Sequence, residues 1–106
     1  MALGLLEVYG FSTAIVCADA AAKAAGVKVV AMDKNKPAGG DSVAVPLIMQ
    51  IKLSGDISAI ETAVEAGAEC AKKRGLFVAS HVIARESEAA LKMAALNDVG
   101  KDKINR

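Results

Sequence analysis

The sequence has few aromatic residues, and its charges nearly cancel. Aromatic residues make up 3% of the 106 residues, tryptophan is absent, and the formal net charge is +1. Lysine and arginine form no extended run. A nucleic-acid-binding surface usually needs clustered cations, or aromatic rings on which bases stack. The composition therefore argues against a nucleic-acid partner.

Cysteine and histidine are also scarce. The two cysteines, Cys17 and Cys70, lie far apart in the sequence, and His81 is the one histidine. No CxxC pair and no Cys/His spacing of the zinc type occurs. We expect two buried thiols acting as small apolar side chains, and a structural rather than catalytic histidine. With no GxSxG, P-loop or HExxH motif either, the sequence predicts no catalytic residue, no metal and no cofactor, and hence not an enzyme.

The chain shows neither a signal peptide nor a membrane-spanning run. Its first ten residues, MALGLLEVYG, carry an acid within the apolar stretch and no basic leader. We therefore expect a cytoplasmic protein without a membrane partner. The length indicates one domain, whose core is built from Ala, Val, Ile and Leu. Such side chains bury little area each, so a domain of this size gains much from oligomerisation.

Hydrophobic periodicity predicts six elements in the order βαββαβ. The strands are predicted over LGLLEVY, VKVVAMDK, residues 45–53 and LFVASHVI, and the helices over residues 10–26 and 55–75. The stripe of the second helix that faces the core is predicted to hold Ile57, Ile60, Val64, Ala68 and Ala71. ESEAALKMAAL is typical of a short C-terminal helix. Residues 1–96 form the predicted domain, and residues 97–106 a polar tail.

Small polar residues and glycines mark the predicted helix ends. Ser12 is placed to cap the first helix, and Gly26 to take the left-handed position after it. Ser58 and Glu61 have the spacing of a capping box at the start of the second helix. Gly75 is placed to end that helix.

The order of elements predicts an α+β, ferredoxin-like fold: a four-stranded antiparallel sheet with the helices on one face. Folds of this class host many functions. One alternative function is a small-molecule-binding regulatory module, in which the glycine amides of NKPAGGDS hold an anion. Against it, that segment joins strand to strand and lacks a following helix N-terminus, the usual anion site.

Both halves of the chain carry residue patterns of a known family. The matching positions of the first strand and helix are Ala2, Leu3, Gly4, Glu7, Gly10, Ala18, Asp19, Ala20 and Lys23. In the second half, GDISAIETAVEAGAECAKKRG and SHVIAR agree with the same family, ending at Arg85. Over residues 2 to about 86 the sequence resembles a bacterial microcompartment shell protein of the single-domain, hexamer-forming type.

The resemblance implies a structural protein in the bacterial cytoplasm. Members of this family close into six-subunit rings that tile, with other shell proteins of the same compartment, around encapsulated enzymes. Metabolites pass through a central pore. The resemblance places Lys23 at the edge between hexamers, with Arg85 supporting that contact. Taken by itself, Lys23 is a solvated lysine that favours the C-terminal helix dipole.

Two positions depart from the family pattern. Ala84 stands where the family usually has proline, and NKPAGGDSVAVP replaces the very short glycine-serine-glycine turn that lines the pore. By its place between the second and third strands, the longer segment is predicted to line the pore with Pro37, Ala38, Gly39, Gly40, Asp41 and Ser42. A loop of this length resembles those in compartments that house glycyl-radical enzymes, such as choline utilisation compartments.

Overall fold

The computed structural model describes residues 1–35 and 47–84. The helices and strands are β1 (Ala2–Tyr9), α1 (Phe11–Ala24), β2 (Lys28–Asn35), β3 (Ile48–Gly55), α2 (Ile57–Lys73) and β4 (Phe77–Ile83). The predicted order and type of these six elements are confirmed. The predicted C-terminal helix and polar tail lie outside the described residues.

The four strands form one antiparallel sheet in the order β2-β3-β1-β4. The central strands are therefore β1 and β3, and the edge strands are β2 and β4. Leu6 of β1 pairs with Ile51 of β3 on one side and with Ser80 of β4 on the other. This register places alternate residues of the three strands on the same face of the sheet.

Both helices pack on the apolar face of the sheet. The central strands contribute Leu6, Val8, Met49, Ile51 and Leu53 to a single buried cluster. The helices close over this face with small side chains, among them Ala14, Ala21, Ala63 and Ala71, and with Cys17, Ile60 and Val64. The apolar side chains that alternate along the strands and those of the α2 stripe thus pack together in one core. The stripe is shorter than predicted, because Ile57 at the start of α2 is 40% exposed.

Two buried glycines allow α2 to approach its neighbours closely. A Cβ on Gly4 of β1 would lie 2.7 Å from Val64 Cγ2 and 3.0 Å from Ile60 Cγ2. A Cβ on Gly67 of α2 would lie 2.7 Å from Leu6 Cδ2 and 3.3 Å from the Cys17 carbonyl oxygen. Real Cβ atoms do not lie this close to other carbon atoms. The helix α2 can therefore pack this closely against β1 and α1 only because Gly4 and Gly67 have no side chain.

The ends of α1 differ from the sequence prediction. The helix begins at Phe11, and its N-cap is Gly10, whose φ of 90° lies in a region that favours glycine. The Gly10 N–H donates to the Leu47 carbonyl, so the chain turns there and the predicted Ser12 cap is wrong. The predicted left-handed Gly26 is also wrong, because the chain becomes extended at Ala25 (φ −155°, ψ 160°) on its way into β2.

In α2 the predicted C-terminus is confirmed and the predicted N-terminus is wrong. The N-cap is Asp56, without a side-chain cap hydrogen bond, so Ser58 already lies within the helix. At the other end Gly75 has a φ of 70°. The Gly75 N–H donates to the Lys72 carbonyl at 3.0 Å, and the Leu76 N–H donates to the Ala71 carbonyl at 2.9 Å. This pair of bonds is a Schellman motif, which requires the left-handed residue that glycine supplies.

Candidate assembly surfaces

The helix end that carries Lys23 is open to solvent. The Lys23 Nζ lies 2.8 Å from Asp19 Oδ2, one turn earlier in α1, and the two side chains are 75% and 59% exposed. The hydrogen bond that the Lys23 ammonium group donates to Asp19, and then the charge of Asp19, raise the pKa of Lys23, so this lysine stays protonated. Its position permits contact with a neighbouring molecule. Arg85, which is predicted to support the same contact, lies outside the described residues.

The strands that flank the predicted pore segment form a regular ladder. Pairing between β2 and β3 continues to Asn35 and Ile48, with a bulge between Val29 and Ala31 further back. The six predicted pore residues, 37–42, lie outside the described residues. In the sequence these six residues stand between Asn35 and Ile48, which pair with each other at the end of the ladder.

An ion pair lies on the sheet face away from the helices. Lys52 of β3 is buried and pairs with Asp33 of the neighbouring strand β2. Lys52 alternates with Ile51 and Leu53, whose side chains enter the core. Its methylene chain is therefore covered while its ammonium group meets a carboxylate, which compensates the cost of burial. Sequence alternation predicted the direction of Lys52 but gave no signal for its partner.

A small polar pocket lies across β3, β1 and β4. It has a volume of about 120 Å³ and is lined by Leu5, Glu7, Gln50, Ala79, Ser80 and His81. The Gln50 side-chain amide donates to Glu7 Oε2 at 3.3 Å. The assignment of His81 as a structural rather than catalytic residue stays a prediction. Its side chain is exposed at this edge of the sheet. The reason is that β4 is an edge strand and His81 lies on the face that the helices do not cover.

The outer face of α1 exposes large apolar side chains. Phe11 and Ile15, one helical turn apart, are 47% and 46% exposed, and Val16 is 39% exposed. Residues four apart lie on the same side of a helix, so Phe11 and Ile15 form an apolar patch. Such patches often mark contacts between proteins. The sequence did not predict this patch, because the pattern of α1 does not distinguish an exposed apolar residue from a buried one.

The two cysteines come together where the helices cross. Cys17 of α1 is fully buried, and Cys70 of α2 is partly exposed and packs against the cluster that contains Cys17. Burial raises the pKa of the Cys17 thiol to about 12, and its hydrogen bond with Cys70 adds to this shift. The prediction of a buried thiol is confirmed for Cys17 and wrong for Cys70. Their spacing in the sequence gave no indication of the contact.

Neither a metal site nor a membrane helix is found within residues 1–35 and 47–84. No group of three or more His, Cys, Asp or Glu side chains in these ranges is placed to hold a metal ion. No helix in the described part of the chain is long and apolar enough to cross a membrane.

Comparison with protein families gives a match to most of the chain. The model of the BMC domain matches residues 2–86. The chain is 39% identical over 89 residues to the bacterial microcompartment shell protein PduK of Salmonella typhimurium, covering 84% of this chain and 51% of PduK. It is 38% identical over 84 residues to the shell protein PduA of Citrobacter freundii, covering 79% of this chain and 81% of PduA.

The similarity extends to carboxysomes and to a solved structure. The carboxysome shell protein CsoS1C of Hydrogenovibrio crunogenus is 35% identical over 104 residues, which cover 97% of this chain and 93% of CsoS1C. A microcompartment protein of Desulfitobacterium hafniense superposes with a TM-score of 0.67 at 30% identity, covering 87% of this chain and 47% of that one. The chain thus spans most of PduA and CsoS1C, but about half the length of PduK and of the solved protein.

Proposed function

Because the chain belongs to the BMC-domain family, we propose that it is a structural subunit of a bacterial microcompartment shell that closes into rings of six. The observation that carries this proposal is the family match over residues 2–86, together with relatives that are shell proteins. The element order and the sheet order β2-β3-β1-β4 support the ferredoxin-like description of the subunit. The subunit acts inside the bacterial cell by assembling, in company with other shell proteins, and it performs no catalysis.

The apolar patch on α1 supports association of the subunit. Phe11, Ile15 and Val16 are exposed in the single chain, where they gain nothing from the hydrophobic effect. In a closed ring each subunit contacts one neighbour through one surface and the other neighbour through a second surface, so every subunit buries the same residues. We place this patch in a subunit interface. A core built from small side chains leaves a subunit of this size with much to gain from such burial.

Contacts between rings are assigned to the helix end at Lys23. An exposed ion pair within one helix contributes little, so little free energy holds Lys23 to Asp19. The lysine is therefore available to donate to acceptors on an adjacent ring. Each such contact is weak, but it is repeated at every edge of every ring, and many weak contacts together stabilise a sheet. Arg85 is proposed to support the same contact.

The pore is assigned to the segment between β2 and β3. Its proposed lining is Pro37, Ala38, Gly39, Gly40, Asp41 and Ser42, and the support is the ladder that ends at Asn35 and Ile48. Six Asp41 carboxylates near one axis would favour cations over anions. A compartment of the glycyl-radical or choline type stays a prediction from the length of this segment, and the names of the relatives lend it no support.

Electron microscopy of purified protein tests the shell role through Lys23. Lys23→Ala is expected to keep the melting temperature within about 2 °C, because exposed helix substitutions change stability little. The extended sheets or tubes formed by the original protein should disappear or change form. Lys73→Ala is the control, since Lys73 is also an exposed lysine in the last turn of a helix.

Three results would count against this account. Assemblies unaltered in Lys23→Ala would place Lys23 on a solvated surface. Equal loss of assembly in Lys73→Ala would mean that general charge, and not the α1 edge, controls tiling. A small soluble particle with ligand-dependent melting and no extended assembly would instead favour the regulatory module.

A further inference from the structure

Packing between α1 and α2 brings the two cysteines of the chain to one place. Gly67 of α2 lies directly against the backbone of α1, where its missing side chain leaves room for the Cys17 carbonyl and for Ala21. Cys70 follows Gly67 by three residues and so lies on nearly the same side of α2, one turn further along. The close approach at Gly67 therefore carries Cys70 towards α1.

The two cysteine side chains are neighbours in the packed region between the helices. Cys70 packs against the core cluster that includes Cys17, and it lies near enough to Cys17 to help raise the pKa of the Cys17 thiol. The two thiols differ in their access to water, because Cys17 is fully buried and Cys70 is partly exposed. A reagent from solution therefore meets Cys70 first, and Cys17 lies behind it.

We propose that Cys17 and Cys70 form an oxidisable dithiol site, in which hydrogen peroxide converts the two thiols to an intramolecular disulfide that joins α1 to α2. In the first step the Cys70 thiolate attacks one peroxide oxygen. An S–O bond forms, the O–O bond breaks, and the departing hydroxide leaves as water after taking up a proton. The product is a sulfenic acid on Cys70.

In the second step the Cys17 sulfur attacks the sulfenic sulfur of Cys70. The S–S bond forms and the S–O bond breaks, and the hydroxyl group leaves as water with the proton of Cys17. In total two thiols and one hydrogen peroxide give one disulfide and two waters. Cys17 acts as the resolving thiol, because its buried sulfur is protected from the oxidant but lies next to the cysteine that is oxidised. Its raised pKa fits this role, since Cys17 remains a thiol until the sulfenic acid forms beside it.

The disulfide ties together the two helices that cover the sheet. It closes a loop that contains β2, β3 and most of α2, and cross-links across long loops restrict the unfolded chain most strongly. The oxidised subunit therefore resists unfolding better than the reduced one. This inference does not rest on the shell role, since a chain that formed no rings would still carry the same pair of thiols.

Intact mass spectrometry of the full chain tests the proposal without ambiguity, because the sequence contains only these two cysteines. Purified protein is treated with hydrogen peroxide, denatured, and alkylated with N-ethylmaleimide. The expected product is a monomer that has lost two hydrogen atoms and takes up no label. Its melting temperature should rise by roughly 10 °C at equal protein concentration, and dithiothreitol should reverse the change.

Two single variants identify the partners. In Cys70→Ser the buried Cys17 should resist peroxide, and in Cys17→Ala the partly exposed Cys70 should stop at sulfenic or sulfinic acid. Neither variant should gain thermal stability on oxidation. A wild-type chain that gave sulfinic acid on Cys70 with Cys17 still free to be alkylated, or disulfide-linked dimers through Cys70, would overturn the proposal.

Discussion

A methyl group added at Gly4 tests the contact that holds α2 on the sheet. Gly4 lies on β1, opposite Leu53 of β3, and its face is covered by α2. In Gly4→Ala the new Cβ would be 2.7 Å from Val64 Cγ2 and 3.0 Å from Ile60 Cγ2. Both neighbours are β-branched and buried, so their γ-methyl groups cannot swing away without leaving their preferred rotamers. The helix must move outward instead.

The expected cost follows from two opposing effects. Adding a methyl group to a close-packed core costs about 1–3 kcal/mol, because side chains or backbone are displaced. Replacing glycine by alanine in a strand raises the free energy of unfolding by about 0.5–1 kcal/mol, because the unfolded chain loses conformational freedom. The first effect is larger here, since two stiff side chains obstruct the methyl group. We therefore expect Gly4→Ala to lower the free energy of unfolding by about 1–2 kcal/mol.

Urea denaturation and thermal melting at fixed protein concentration measure this effect. A drop in melting temperature of roughly 5–15 °C is expected. Gly26→Ala is the control, because no atom lies within 4 Å of the added methyl group. The penalty should shrink by at least about 0.5 kcal/mol in a Val64→Ala background, where one obstructing methyl group is gone. If Gly4→Ala were as stable as the original protein, the close contact between β1 and α2 would not exist as described.

The other predictions concern the uncovered sheet face and the α1 patch. Lys52→Ala is expected to lower the free energy of unfolding by about 1–3 kcal/mol, because it leaves Asp33 without the ammonium group and removes a buried methylene chain. Lys34→Ala, an exposed lysine on the same sheet, should change it by no more than about 0.5 kcal/mol, and equal losses would contradict a special role for Lys52. Ile15→Lys should shift the protein from rings to smaller species in size-exclusion chromatography, because a charge replaces an apolar side chain in the proposed interface. The control Thr62→Lys, on an exposed polar position of α2, should keep the ring, and an intact ring in Ile15→Lys would remove the patch from the interface.

The order of helices and strands could be predicted because it depends on local patterns. The two-residue alternation through Met49, Ile51 and Leu53 and the stripe through Ile60 and Val64 record which side chains are buried. The end of α2 was equally legible, since the Schellman motif at Gly75 involves only neighbouring residues. These features need no knowledge of the rest of the chain.

The features that were missed depend on residues distant in the sequence. Gly10, not Ser12, precedes α1, because its N–H pairs with the Leu47 carbonyl at the start of β3. The meeting of Cys17 with Cys70 follows from how closely the helices approach at Gly67, which composition does not reveal. The exposure of Ile15 could not be foreseen either, since an exposed apolar residue on a helix looks the same in sequence as one that faces the core.

Among the candidate assembly residues, the exposure of Lys23 could be predicted from the local sequence, and the roles of these residues could not. Lys23 was correctly expected at an exposed helix end, because its place after the apolar positions of α1 is a local matter. Its role in tiling came from the family resemblance and stays a prediction. Arg85 and the six proposed pore residues lie outside the described residues, so their assignment to edge and pore also stays a prediction.

Native mass spectrometry of the soluble protein tests most directly whether this chain is a ring-forming shell subunit. We expect a dominant species of six chains of 10.8 kDa each, closed by one repeated heterologous interface. Gentle activation should release single subunits from this species, because all six positions are equivalent. Finding a monomer or a trimer as the only species, at concentrations where the protein stays soluble, would contradict the ring and with it the proposed role in a shell.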